Sequence, residues 1–127
     1  MHLLILSAFL FFSSTEYSNK EIDISLLINT WTHSREEKKS DIPGETYRPS
    51  DYMTFPPARF RQIYKFNADY TCSYLFLSPT DGHHMKEAKW KFDKTNHTLL
   101  IVDENGETKF SFHVYSLEHD LLILHVT

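Results

Sequence analysis

Eight histidines, one cysteine and a scatter of carboxylates and arginines are the groups in this 127-residue chain that could do chemistry. His113 and His125 are the best-spaced pair. If Glu118-His119-Asp120 turns the chain, Leu117 faces Leu121, and the two histidines become cross-strand neighbours on the outer face beside Tyr115 and Ile123. Opposed imidazoles can share a zinc or copper ion. A structural zinc site takes four ligands and a catalytic one three, and no third ligand is specified here, so a solvated pair is the default. His83-His84, in a loop with Asp81, is the other weak metal candidate. Neither pair has the H-E-x-x-H or cysteine-rich spacing of a strong metal motif. No metal or cofactor is expected.

The carboxylates Glu36-Glu37, Asp51, Asp69, Asp81 and Asp103-Glu104 fall in loops or at strand ends. An acid/base pair needs two carboxyls in one apolar cleft, and nothing brings two of these inward. Cys72 sits mid-strand among Tyr70, Tyr74 and Phe76, where a thiol packs as a small hydrophobe. As the single cysteine it forms no disulfide within the chain. Three glycines are too few for a phosphate-cradling loop, and no nucleophile elbow is present. A non-catalytic protein is the expectation. Arg48 and Arg59 flank an aromatic loop. Folded over a barrel mouth, they would grip a carboxylate head group while aromatic rings hold an apolar tail; otherwise Arg59 ties the loop down by pairing with Asp51. Arg61 alternates outward. Asn96-His97-Thr98 is an N-glycosylation sequon, relevant in a eukaryotic secretory pathway.

These groups must be positioned by strands. From Arg59 to Val126 the chain repeats an alternating apolar/polar run and a short polar turn. The runs are Arg59–Phe66 (Phe60, Tyr64 and Phe66 inward), Tyr70–Leu77 (Tyr70, Cys72, Tyr74 and Phe76 on one face), Lys86–Asp93 (Ala88, Trp90, Phe92), Thr98–Val102, Thr108–Leu117 (Phe110, Phe112, Val114) and Leu121–Val126 (Leu122, Leu124, Val126). Asn105-Gly106 is a strong hairpin signal. Leu26–His33 gives a first strand, and part of Tyr47–Phe55 an eighth if it is extended. The fold class is all-β: an antiparallel up-and-down meander of seven to eight strands closing into a small barrel over residues 25–127. Its one break is the connection 34–58, with a charged, flexible first half and an aromatic second half that packs on the body.

Leu3–Phe12 is a continuous apolar stretch ending in Ser13-Ser14-Thr15. It reads as a signal peptide over 1–15, followed by a polar tether over 16–24. It is too short to span a bilayer, which takes about 20 residues. A secreted or periplasmic location follows, with no stable membrane insertion after cleavage. The net charge of −4 argues against a nucleic-acid partner.

Leu27-Ile28-Asn29-Thr30-Trp31 resembles the first strand of a small lipocalin-like (calycin-type) domain, with Asn29 where that pattern has Gly. Tyr47-Arg48-Pro49, Phe55-Pro56-Pro57-Ala58-Arg59, Pro79-Thr80-Asp81 and Trp90 resemble a little-characterised set of such proteins. The resemblance implies a barrel with a ligand-binding role and transfers no catalytic residue. The expected function is binding of a small apolar or amphipathic ligand by Tyr47, Arg48, Phe55, Arg59, Tyr64, Tyr74, Trp90 and Phe112. The alternatives are a solid barrel docking a protein partner through outward Ile63, Leu75, Leu77, Leu121 and Ile123, and an enzyme on the barrel rim.

Overall fold

The computed structural model describes residues 21–38, 41–79 and 82–127. The expected signal peptide lies outside the described residues, as do Asp81 and most of the tether. A 3-10 turn (Ile24–Leu27) is followed by eight strands: β1 (Asn29–His33), β2 (Glu45–Pro49), β3 (Ile63–Phe66), β4 (Thr71–Leu77), β5 (His83–Asp93), β6 (Thr98–Val102), β7 (Thr108–Glu118) and β8 (Leu121–Val126). They are antiparallel and close into a barrel in the order β1-β2-β8-β7-β6-β5-β4-β3. The fold is the expected all-β meander, with the eighth strand supplied by β2. The closed sheet leaves no full-length open edge.

The path departs from chain order once. β1 pairs with both β2 and β3, antiparallel to each. β2 and β3 therefore run in the same direction, and residues 50–62 must carry the chain across β1 to join them. This crossing strap covers the outer face of β1. Thr32 is only 5% exposed and shares a 2.6 Å hydrogen bond with Ser50. Two strand starts shift from expectation. The first strand is shorter, because Leu26 and Leu27 belong to the 3-10 turn. β3 starts at Ile63 rather than Arg59, and Phe60 is not inward but lies edge-on to His83.

Short hairpins make the rest, and aspartates set their turns. Asp69 Oδ1 accepts from the N–H of Thr71, Asp93 Oδ1 from Thr95 and Asn96, and Asp103 Oδ1 from Asn105 and Glu107. These are local side-chain caps on backbone donors, the usual use of Asp in turns. The Asp69 carboxyl is held down first by the Thr71 hydroxyl and then by its N–H, and the Asp103 carboxyl first by the Glu107 N–H. Tyr70 takes a left-handed backbone (φ 69°) and is 60% exposed, outside β4. Alternation puts it in the strand on one face with Cys72, Tyr74 and Phe76; it lies in the turn instead, its ring 4.8 Å from that of Trp90. The β7–β8 turn is one residue tighter than expected, since Glu118 faces Leu121 and Leu117 faces Leu122. A bulge at Tyr115 then shifts the register, so His113 does face His125.

The core fills the barrel. Trp31, Tyr47, Tyr64, Phe66, Cys72, Tyr74, Trp90, Leu99, Ile101, Phe112, Val114, Leu122 and Leu124 are buried in one cluster. One end is plugged by the 3-10 turn, whose Leu27 is fully buried and whose carbonyl accepts from Trp31 Nε1 at 2.9 Å. Leu117, Ile22 and the turn's own Ile24 pack against the core. The other end, the rim, carries the β1–β2, β4–β5 and β6–β7 connections.

Candidate binding site

The expected ligand residues fall into two separate groups. Tyr47, Tyr64, Tyr74, Trp90 and Phe112 come together inside the barrel, each at most 6% exposed. Tyr64 is their centre, with ring centroids 5.6 Å from Tyr47, 6.1 Å from Phe66, 5.8 Å from Phe110 and 5.6 Å from Phe112. Rings this close fill space with one another. Arg48, Phe55 and Arg59 are on the outer wall or the strap.

Buried phenols need partners, and two of these supply each other. The Tyr64 and Tyr47 hydroxyls hydrogen-bond to each other. Burial, the largest influence on each, pushes Tyr47 up to about 12 and Tyr64 higher still. Both stay neutral donors at any physiological pH. Tyr74 lies directly opposite Tyr64 across β3 and β4. Three phenols are thus held in a hydrocarbon interior just below the rim.

Above them the rim is polar on one side. His33 follows Trp31 by two residues and shares its inward phase. Its ring lies 5.1 Å from that of Tyr47, and its Nε2 is 2.9 Å from Glu45 Oε1. That hydrogen bond is the main cause lowering the Glu45 carboxyl, with Lys38 Nζ 3.5 Å away as a further cation.

The other side is aromatic and cationic. β5 continues six residues past Lys89, where β6 stops at Val102, so its start stands clear of β6. Lys86, His84 and Phe76 are in phase with buried Ala88, Trp90 and Tyr74. Lys86 Nζ sits 4.7 Å over the Phe76 ring, and the His84 ring meets Phe76 edge-on at 5.3 Å. Phe110, half-buried, stands perpendicular to Tyr74 at 5.0 Å. Aromatic surface therefore runs from the rim down to the phenols. Residue type alone did not single out Lys86 and marked His84 only as a metal candidate, yet a lysine in phase with Ala88 and Trp90 is the signal that points to this pair.

No family model, curated protein or solved structure matches this chain.

Arg48 and Arg61 are structural ties. Arg48 grips Glu37 with two nitrogens, at 3.0 and 2.7 Å, donates to the Asp120 carbonyl at 2.8 Å, and lies 4.5 Å over the Tyr52 ring. Arg61, expected at the surface, grips Glu36 at 2.9 and 2.8 Å and donates to the carbonyls of His33 and Pro56. The Arg61 hydrogen bond is the first cause holding the Glu36 carboxyl down at about 2. Phe55 lies under the Arg61 guanidinium at 5.5 Å. The strap is tied by Arg61 to Glu36, not by Arg59 to Asp51, and Arg59 is exposed. Glu36 and Glu37 are accordingly pinned, although their charge suggested a flexible segment.

The histidine pairs are placed as follows. His113 and His125 are direct partners, in a line of rings that runs His97, His113, Tyr115, His125 at 6.2, 4.4 and 6.2 Å. Among the described residues no three His, Cys, Asp or Glu side chains are arranged to hold one ion. His83 and His84 are in β5 rather than a loop, so they point to opposite faces. Cys72 is buried, and burial pushes its thiol up to about 12. Asn96 is exposed in the β5–β6 turn, its Nδ2 donating to Asp93 Oδ2.

Proposed function

We propose that this is an exported, non-catalytic, lipocalin-like barrel that binds a small apolar or amphipathic molecule at its rim rather than in its filled interior. The observation that carries the reading is the aromatic surface of half-buried Phe76 and Phe110, which leads from solvent to the Tyr64–Tyr74 floor. Binding at such a mouth needs apolar contact plus a few fixed polar groups, and the phenols and the His33–Glu45 pair are of that kind. Export rests on the apolar Leu3–Phe12 stretch.

The neutral fluorophore N-phenyl-1-naphthylamine tests this directly. Its emission should rise and saturate with the wild-type protein, and Phe110→Ala and Phe76→Ala should each weaken binding at least about tenfold, the scale of one lost aromatic contact. Circular dichroism checks that both variants keep the fold. No saturable binding, or equal binding by both variants, rejects the site.

A second reading has its own observation. On the opposite face of the same hairpin, Leu77 is 56% and Met85 38% exposed, an apolar tip of the kind that docks a protein. Ile123, which was expected to share such a face, is buried. Under this reading the fluorophore fails to bind the rim, and Leu77→Asp abolishes partner capture.

A further inference from the structure

Resting on the rim reading above, we infer that the ligand class is an amphipathic carboxylate, with its head group on Lys86 and His84 and its tail over Phe76 and Phe110. Charge decides this. Among the described residues, the inward-phase carboxylate at the rim is Glu45, and it is already engaged by His33 and Lys38. Across from it, Lys86 makes no ion pair with any described carboxylate; the cations in the described pairs are His33, Lys38, Arg48, Arg61, Lys109 and His119. Its ammonium rests instead on the face of Phe76. That ring contact orients a cation without neutralising it. His84 meets the same ring edge-on. One aromatic ring thus carries two nitrogen groups, both on exposed residues in phase with the barrel interior. A carboxylate placed between them would gain charge-assisted hydrogen bonds. A tail attached to it has Phe76 and Phe110 to lie on and Tyr74 below. A cationic ligand would meet Lys86 head-on, and an uncharged one would leave it unanswered.

Decanoate and 1-decanol, matched in tail and different in head, separate the head group from the site. Each is titrated against N-phenyl-1-naphthylamine bound to the full chain. Decanoate should displace the fluorophore at a concentration about fivefold lower than decanol, the size expected of one partly exposed ion pair. Lys86→Gln should erase that preference by weakening decanoate alone, whereas the outer-face control Lys89→Gln should leave it intact. Equal displacement by the two compounds, or a preference that survives Lys86→Gln, overturns the carboxylate assignment while leaving the rim site standing. Failure of the fluorophore itself to bind overturns the site.

Discussion

Arg48 and Glu37 are 11 residues apart in the chain, and Arg61 and Glu36 are 25 apart. Each guanidinium fits a carboxylate bidentately and also answers a carbonyl that the barrel would leave short of a donor. Arg48→Met keeps the stem and removes the fork. It should lower stability by about 2 kcal/mol, read from urea midpoints at unchanged slope, because a charge-assisted contact and the Asp120 carbonyl lose their donor. Fluorophore binding at the rim should not move, which separates this arginine from the ligand. The Arg61 tie has a pH signature. The folded Glu36 carboxyl titrates at about 2, below its ordinary 4.5. The folded state therefore holds the proton more weakly than the unfolded one, and the tie contributes fully above pH 4.5 and fades as pH falls toward about 2. The stability gap between wild type and Glu36→Gln should be constant from pH 7 to 5 and shrink below that; a gap that widens in acid would contradict the tie. The sequence makes both arginines conspicuous, but not their partners. Arg61 looks like a surface residue until Glu36 and the Pro56 carbonyl close on it, and Arg59 looks equally eligible.

Strand identity was legible because the side-chain period is two and the aromatics keep to it. Cys72, Tyr74, Ala88, Trp90, Phe112, Leu122 and Leu124 all point where alternation puts them. Turn chemistry was legible for a related reason, since Asp69, Asp93 and Asp103 act within four residues of themselves. Boundaries were harder wherever a distant element decides them. Phe60 alternates correctly with Tyr64, yet the strap's crossing of β1 takes it out of the sheet. The β7–β8 register came right at His113 and His125 by two offsetting departures, a tighter turn and a bulge at Tyr115. Gly44 gives a test at this scale. Its φ is +133°, and a Cβ there would lie 2.8 Å from the Leu124 carbonyl oxygen. Both the backbone conformation and the close approach of β2 to β8 demand glycine. Gly44→Ala should cost about 2 kcal/mol, whereas Gly106→Ala, with φ +82° and open space, should cost about 1 kcal/mol, both by urea denaturation.

At the scale of the whole molecule, closure was predictable and strand order was not. A long meander must hide its edges, but alternation cannot say whether β1 or β2 meets β8. The two ends of the barrel then differ in kind. Leu27, fully buried under Trp31, seals one end, and Leu27→Ala should destabilise by about 3 kcal/mol through the cavity it leaves. The same change should leave ligand affinity at the rim within about twofold, since the plug and Phe110 are at opposite ends. Loss of affinity in a folded Leu27→Ala protein would place the ligand in the interior after all.

The pairing of β2 with β8 also has a consequence for biogenesis. Glu45, Thr46 and Tyr47 meet Leu124, Ile123 and Leu122, residues that the ribosome adds some 75 peptide bonds later. Until β8 is made, β2 and β7 each present a bare hydrogen-bonding edge beside an aromatic lining. A chain stalled or clipped before Leu121 is therefore an open, sticky seven-stranded sheet rather than a smaller barrel. Closure of the barrel is thus a single late event that waits on β8.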